Sequence, residues 1–205
     1  MSVYGAITHG GLVEKAARDL LKPWMPAYLA EIERQLDRTP GSLPKPRSWT
    51  NMIDVDRWPE DQLPCVVLIC PGTYSEPISE GDGEHRVTWE LRVATVVSGK
   101  PDARERMLDN AKIYAAAVRT CVLQHPSLGG FAQGVSWLGE AYDDIPIDRS
   151  RTLASGEVAF AVQVDDVASA FDGPAEPPED PLEDPGDWPT ATEVPVVEVD
   201  RTDEP

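Results

Sequence analysis

Apolar residues recur every three or four positions from Leu12 to Leu36, which is the spacing of a helix with one apolar face. Pro23 and Pro26 interrupt this pattern. A proline inside a helix removes a backbone donor and clashes with the preceding turn. The pattern therefore predicts two helical segments, over about 11–22 and 25–37, that meet at a kink.

Four later segments have the hydrophobic patterns of β-strands. Residues 65–70 are a continuous apolar run between two prolines, which is typical of a strand buried on both faces. Residues 85–97 alternate between apolar and polar positions and predict a strand with one buried face. The last strands are predicted over 131–142 and 153–167, and an apolar stripe over 101–124 predicts a helix between the two pairs. The order α-β-β-α-β-β favours a two-layer α+β domain.

Two polar connections, over 72–84 and 143–152, separate the paired strands. Loops held by a rigid scaffold commonly carry recognition, so these connections are the predicted interface. The alternative, which we weigh equally, is that their charges are solvated and contact no partner. The candidate interface residues are Tyr74, Glu76, Glu80, Asp82, Glu84, Asp143, Asp144, Asp148, Arg149 and Arg151.

Charge is distributed unevenly along the 205 residues. The net charge is -18, and residues 172–205 contribute -11 of it, from twelve acids and one base, which leaves -7 for residues 1–171. The same segment contains eight prolines. Because such a composition buries too little apolar surface to offset its ordering entropy, we predict a folded domain over 1–171 and a disordered acidic tail over 172–205.

Composition also argues against several classes of partner. An acidic chain with no basic stripe is not expected to bind nucleic acid by charge, because phosphates repel it. No apolar stretch approaches the length of a membrane span, and the first residues have no signal-peptide pattern. Three cysteines are too few for a disulfide framework and indicate reduced thiols in a cytoplasm.

Nucleotide-binding and metal-binding patterns fail on spacing. Residues 98–100 resemble the end of a phosphate-binding loop, but Ala94 and Pro101 stand where that pattern requires glycine and Ser or Thr. Cys65 and Cys70 are five apart on a predicted strand and should point to opposite faces, so they cannot share a metal ion. The acids of 143–152 fit no known calcium-loop spacing, and a solvated loop is favoured over a metal site there; residues 80–84 are likewise better explained as a flexible turn.

The one candidate for nucleophilic catalysis is the pair Cys121 and His125, four residues apart on the predicted helix. No acid nearby is placed to orient the histidine, and a histidine at a helix end is better explained by the helix dipole. We therefore expect no catalytic residue, no metal and no cofactor.

Two segments of this sequence resemble a known family. The first is Arg57-Trp58-Pro59-Glu60-Asp61-Gln62-Leu63-Pro64, followed by the apolar strand and Pro71-Gly72. The second comprises the strand over 85–97, the helix over 101–124, and a strand that starts after Arg149-Ser150-Arg151-Thr152-Leu153. In their order and spacing, and together with the first helix, they resemble the tail-terminator proteins of long-tailed (siphovirus) phages, especially those of actinobacteria. The resemblance covers most of residues 10–167.

The resemblance implies an α+β subunit with a mixed sheet of about four main strands flanked by helices. It implies a virion protein, assembled in the host cytoplasm, that forms a ring of six subunits on the head-proximal end of the tail tube. Such a ring stops tube polymerisation and joins tail to head, with heterologous contacts between copies that close by rotation. The implied partners are further copies, the major tail tube protein and a head-completion or connector protein. No catalytic residue is implied.

Three alternatives remain open from the sequence. The first is a head-completion or head–tail connector protein of the same virion. The second is a small hydrolase or nucleotide-binding enzyme, which the failed motifs disfavour. The third is a soluble adaptor whose acidic tail is the binding element.

Overall fold

The structure is a computed structural model, and it describes residues 8–51, 59–79, 85–146 and 151–165. In that part of the chain there are two α-helices and six β-strands, with short 3-10 turns before β2 and α2. The elements are α1 (Gly10–Gln35), β1 (Ser48–Thr50), β2 (Cys65–Thr73), β3 (Ile78–Ser79), β4 (His85–Gly99), α2 (Arg104–Gln124), β5 (Gly134–Pro146) and β6 (Thr152–Val164).

The strands form one mixed sheet in the order β1-β2-β4-β6-β5, with β3 paired to β4. β1 runs parallel to β2, and every other pair is antiparallel. The predicted α+β class and mixed sheet are confirmed, and the four long strands follow the predicted order around the two helices. The sequence predicts neither short strand: β3 lies in the polar connection over 72–84, and β1 lies between α1 and β2.

Both helices pack on the same face of the sheet. Leu21 and Met25 of α1, Tyr114 of α2, and Leu91 and Phe160 of the sheet are all buried in one continuous apolar core. Burying a large apolar side chain stabilises a fold by about 1.5–3 kcal/mol, so this layer provides most of the stability. Both helices therefore cover the same face of the sheet. The family resemblance implied a sheet flanked by helices but did not say on which face they lie.

The opposite face of the sheet carries a much smaller cluster. It contains Leu63, Cys65, Val67, Val96 and Leu153. Cys65 belongs to this cluster, whereas Cys70 packs against the helix-side core. The predicted placement of these two cysteines on opposite faces is confirmed.

The prediction of two helical segments is wrong, because α1 is one helix with Pro23 and Pro26 inside it. Both prolines are exposed, so water can bond the carbonyls that lose their amide partners. The buried Leu21, Met25 and Leu29 continue the apolar stripe across both prolines. Packing of that stripe outweighs the local cost of each proline.

The chain divides into one unit over Met1–Gly173 and another over Pro174–Pro205. All described residues belong to the first unit. The predicted tail over 172–205 lies outside the described residues.

Candidate assembly surface

The structure places the predicted interface residues in three different settings. Tyr74 and Glu76 follow β2 and are exposed. Asp143 and Asp144 lie within β5, and Arg151 directly precedes β6 and is half-buried. The other predicted interface residues lie outside the described part of the chain; they are Glu80, Asp82, Glu84, Asp148 and Arg149.

The two predicted loops lie at opposite ends of the sheet. Thr73, where β2 ends, pairs with Trp89 near the start of β4. Thr152, at the start of β6, pairs with Gly99 at the end of β4. The structure therefore does not bring the two sets of candidate residues together, and the prediction of one loop over 143–152 is wrong because β5 extends to Pro146.

The strand that carries Asp143 and Asp144 is also the edge of the sheet. Among the described residues, β5 pairs only with β6 and is open along its other side for 13 residues. It carries three exposed large side chains: Trp137 at 49% exposure, Leu138 at 37% and Tyr142 at 41%. An open edge of unpaired backbone groups is a template for pairing with another chain. We call β5 and these three side chains the assembly surface.

Charged contacts from α2 hold the helix-side face of β5. A guanidinium nitrogen of Arg104 donates to Asp144 at 2.8 Å, and one of Arg119 donates to Glu140 at 2.6 Å. The Arg119 guanidinium also lies 5.0 Å from the ring centre of Trp137. The two carboxylates are mostly buried, at 20% exposure for Asp144 and 9% for Glu140, and the pairs orient β5 against α2.

A bulge sets the direction in which the assembly surface faces. The pairing of β5 with β6 shifts between Trp137 and Gly139, so that Leu138 is an extra residue in the strand. Such a bulge bends a strand and increases its twist. Beyond it, Glu140 and Tyr142 face α2, and the Tyr142 hydroxyl donates to Glu140.

At the end of α2, His125 contacts the backbone of Cys121, and no contact joins its ring to the Cys121 thiol in the described part of the chain. His125 Nδ1 lies 2.9 Å from the Cys121 carbonyl oxygen, and burial raises the pKa of the Cys121 thiol to about 12. The thiolate, which is the nucleophilic form of cysteine, is therefore not formed near neutral pH. Trp24 stacks on His125 with ring centres 4.8 Å apart, which gives the histidine a packing role.

The described ranges hold neither a cluster of metal ligands nor a helix suited to a membrane. There, no group of three or more His, Cys, Asp or Glu side chains is placed to hold a metal ion. Neither α1 nor α2 has the length and apolar composition needed to cross a membrane.

No protein-family model matches this chain, and no curated protein matches its sequence. One similar solved structure is a chain from the "Virion of native gene transfer agent (GTA) particle". The match covers 65% of this chain and 91% of that chain, at 12% sequence identity and a TM-score of 0.40. This similarity is too low to define a common fold or a common role.

Proposed function

We propose that this protein is a structural component of a tailed-phage virion and acts as its tail terminator. In this role it forms a ring, of six copies as in the family it resembles, on the head-proximal end of the tail tube. The ring ends tube polymerisation and joins the tail to the head. The observation that carries the proposal is the assembly surface: an open edge strand with Trp137, Leu138 and Tyr142 exposed on it.

The resemblance to tail terminators provides the context for this surface. A ring needs contacts between copies around its circumference and separate contacts above and below it. The open edge of β5 suits the first kind of contact, because it runs along the side of the sheet. The connections at the two ends of the sheet suit the second kind. Tyr74 and Glu76 lie at one end and the β5–β6 hairpin at the other, so each end is a candidate contact with the tube or the connector.

The proposal is tested with phage that lack this protein. We expect filled heads without attached tails, together with tubes of irregular and excessive length, both seen by electron microscopy. Normal-length tails joined to heads would contradict the assignment. Normal-length tails that fail to join heads would instead identify a head-completion or connector protein.

Complementation with point variants then tests the assembly surface itself. Trp137→Ala removes an exposed aromatic ring from β5 and should fail to restore joined particles, although the isolated variant folds normally. Trp24→Ala is the matched control, because Trp24 is similarly exposed, at 46% against 49% for Trp137, but lies on α1. Equal restoration by both variants would show that β5 is not the contact.

A further inference from the structure

We infer that copies of this chain associate head to tail by continuing the sheet, with β5 of one copy paired antiparallel to β1 of the next. This inference deepens the proposed function, because it names the contact between neighbouring subunits. It requires the two edges of the sheet to be complementary in direction, register, apolar contact and charge. Each of these properties follows from the described strands.

The strand directions are compatible with antiparallel pairing between copies. β1 is parallel to β2, and the three steps from β2 through β4 and β6 to β5 are each antiparallel. β5 therefore runs opposite to β1. When a second copy continues the sheet in the same orientation, its β1 lies antiparallel to β5 of the first copy.

The register follows from residues that lie in one row across the sheet. Ser48 pairs with Cys65, Cys65 with Val96, Val96 with Ser155, and Ser155 with Asp143. A copy that continues the sheet at the same height therefore places its Ser48 opposite Asp143.

The next row brings two aromatic residues together. Trp49 lies in the row of Val66, Thr95, Gly156 and Tyr142. Trp49 packs against the helix-side core, and Tyr142 is on the same face, since Gly156 beside it approaches α2. The new pair therefore places Trp49 of one copy against the exposed Tyr142 of its neighbour. Directly opposite aromatic side chains on antiparallel strands stabilise the pairing.

Charge favours this head-to-tail arrangement over pairing of β5 with itself. Lys45 and Arg47 lie directly before β1 and are exposed. In an antiparallel pair the residues before Ser48 lie beyond Asp143 along β5, so these bases approach the acidic end of that strand. Two β5 strands side by side would instead pair two strands that each carry Glu140, Asp143 and Asp144 and no base. Opposite charges at an interface set register and partner choice.

The test mixes two variants that each add one cysteine, Ser48→Cys and Asp143→Cys, and that carry tags of different size. Residues directly opposite on antiparallel strands have Cβ atoms about 4.5–5.5 Å apart, within reach of a short thiol cross-linker. We expect a cross-linked dimer that contains one copy of each variant, seen by gel electrophoresis. The wild-type chain, whose Cys65 and Cys121 are buried and Cys70 half-buried, gives the background.

Each other outcome overturns the inference. Cross-linking of Asp143→Cys to itself would mean that β5 pairs with β5. Cross-linking of Ser48→Cys to itself would mean a symmetric contact through β1. No cross-linked dimer above the wild-type background, with both variants folded by circular dichroism, would mean that neither edge is used.

A second variant measures the aromatic contact. Tyr142→Ser should weaken self-association by about fivefold, the scale of one cross-strand pair, as measured by analytical ultracentrifugation. The matched control Leu123→Ser removes a similarly exposed apolar side chain from α2, at 40% exposure against 41% for Tyr142, and should leave self-association unchanged. These tests can fail while phage lacking the protein still make tubes of excessive length. That combination would reject this contact and leave the proposed function standing.

Discussion

Glu33 organises the turn that follows α1. Its carboxylate is buried, with 5% of the residue exposed, and accepts hydrogen bonds from the amides of Gly41 and Leu43 at 2.8 and 2.6 Å. The Ser42 hydroxyl donates to it at 3.2 Å. Next to this turn, the buried Tyr114 hydroxyl donates to the Pro44 carbonyl. The turn thereby ties the end of α1 to α2.

Glu33→Gln should lower the melting temperature at pH 7. The amides of Gly41 and Leu43 hold the pKa of Glu33 below its usual value. A depressed folded-state pKa gives stability that is present above the unfolded carboxyl pKa of about 4.3 and is lost as the pH falls through the folded value. The difference between wild type and variant, followed by thermal unfolding, should therefore shrink as the pH falls below about 4.

The matched control is Glu31→Gln on the same helix. The Arg34 side chain donates to Glu31 and lowers its pKa to about 2. That pair is exposed, and exposed pairs contribute little to stability. If both variants lowered the melting temperature equally at pH 7, the buried turn would have no special part in stability.

The single residues that matter most at the surface were the hardest to predict from sequence. Trp137 and Tyr142 stand in a segment correctly predicted as a strand, and large apolar residues in strands usually face a core. Their exposure depends on β5 being the edge strand and on the bulge at Leu138. Both features arise from pairing with β6, which no local pattern in residues 134–146 encodes.

The helix α1 shows packing overriding local propensity. A proline in a helix interior costs about 3 kcal/mol relative to alanine, and α1 contains two. The apolar stripe correctly predicted a helix in this segment. It did not predict one continuous helix, because the sequence does not show that Pro23 and Pro26 both face solvent.

Pro26→Ala should raise the free energy of unfolding by about 1–2 kcal/mol. The substitution restores the amide that can bond the Lys22 carbonyl, and part of this gain is offset by greater freedom of the unfolded chain. Urea unfolding measures the change. Pro126→Ala is the control, because Pro126 lies in a turn after α2, where losing the ring should destabilise slightly. A loss of stability in Pro26→Ala would mean that the packing of α1 requires the backbone conformation that this proline imposes.

The strands were predicted in the right order, but their ends were not. Asp143 and Asp144 look like loop residues because they are polar, yet they continue β5 in register with Ser155 and Ala154. An edge strand tolerates such residues, since water reaches its open side. Hydrophobic patterning therefore identifies the buried middle of each strand and misses the polar ends.

At the level of the complete chain, both the edges of the sheet and the uneven charge affect the association of copies. The inferred contact joins basic residues before β1 to acids on β5. Against it, every copy carries a net charge of -18, which repels other copies. Assembly therefore depends on a local attraction that exceeds an overall repulsion, and the ionic strength of the solution should shift the balance.

Removing residues 172–205 should strengthen self-association at low ionic strength. The truncation takes away -11 of the net charge and leaves -7, so copies repel one another less. At about 0.1 M salt charges act over about 10 Å, and at about 1 M over only about 3 Å. Sedimentation should therefore show the truncated chain to be more associated at low salt and equal to the full chain at high salt.

A full-length variant with the acids of 172–205 changed to Asn and Gln separates the effect of charge from the effect of length. It should behave as the truncated chain does. If it behaved as the wild type, the segment would act on assembly through its bulk and not through its charge.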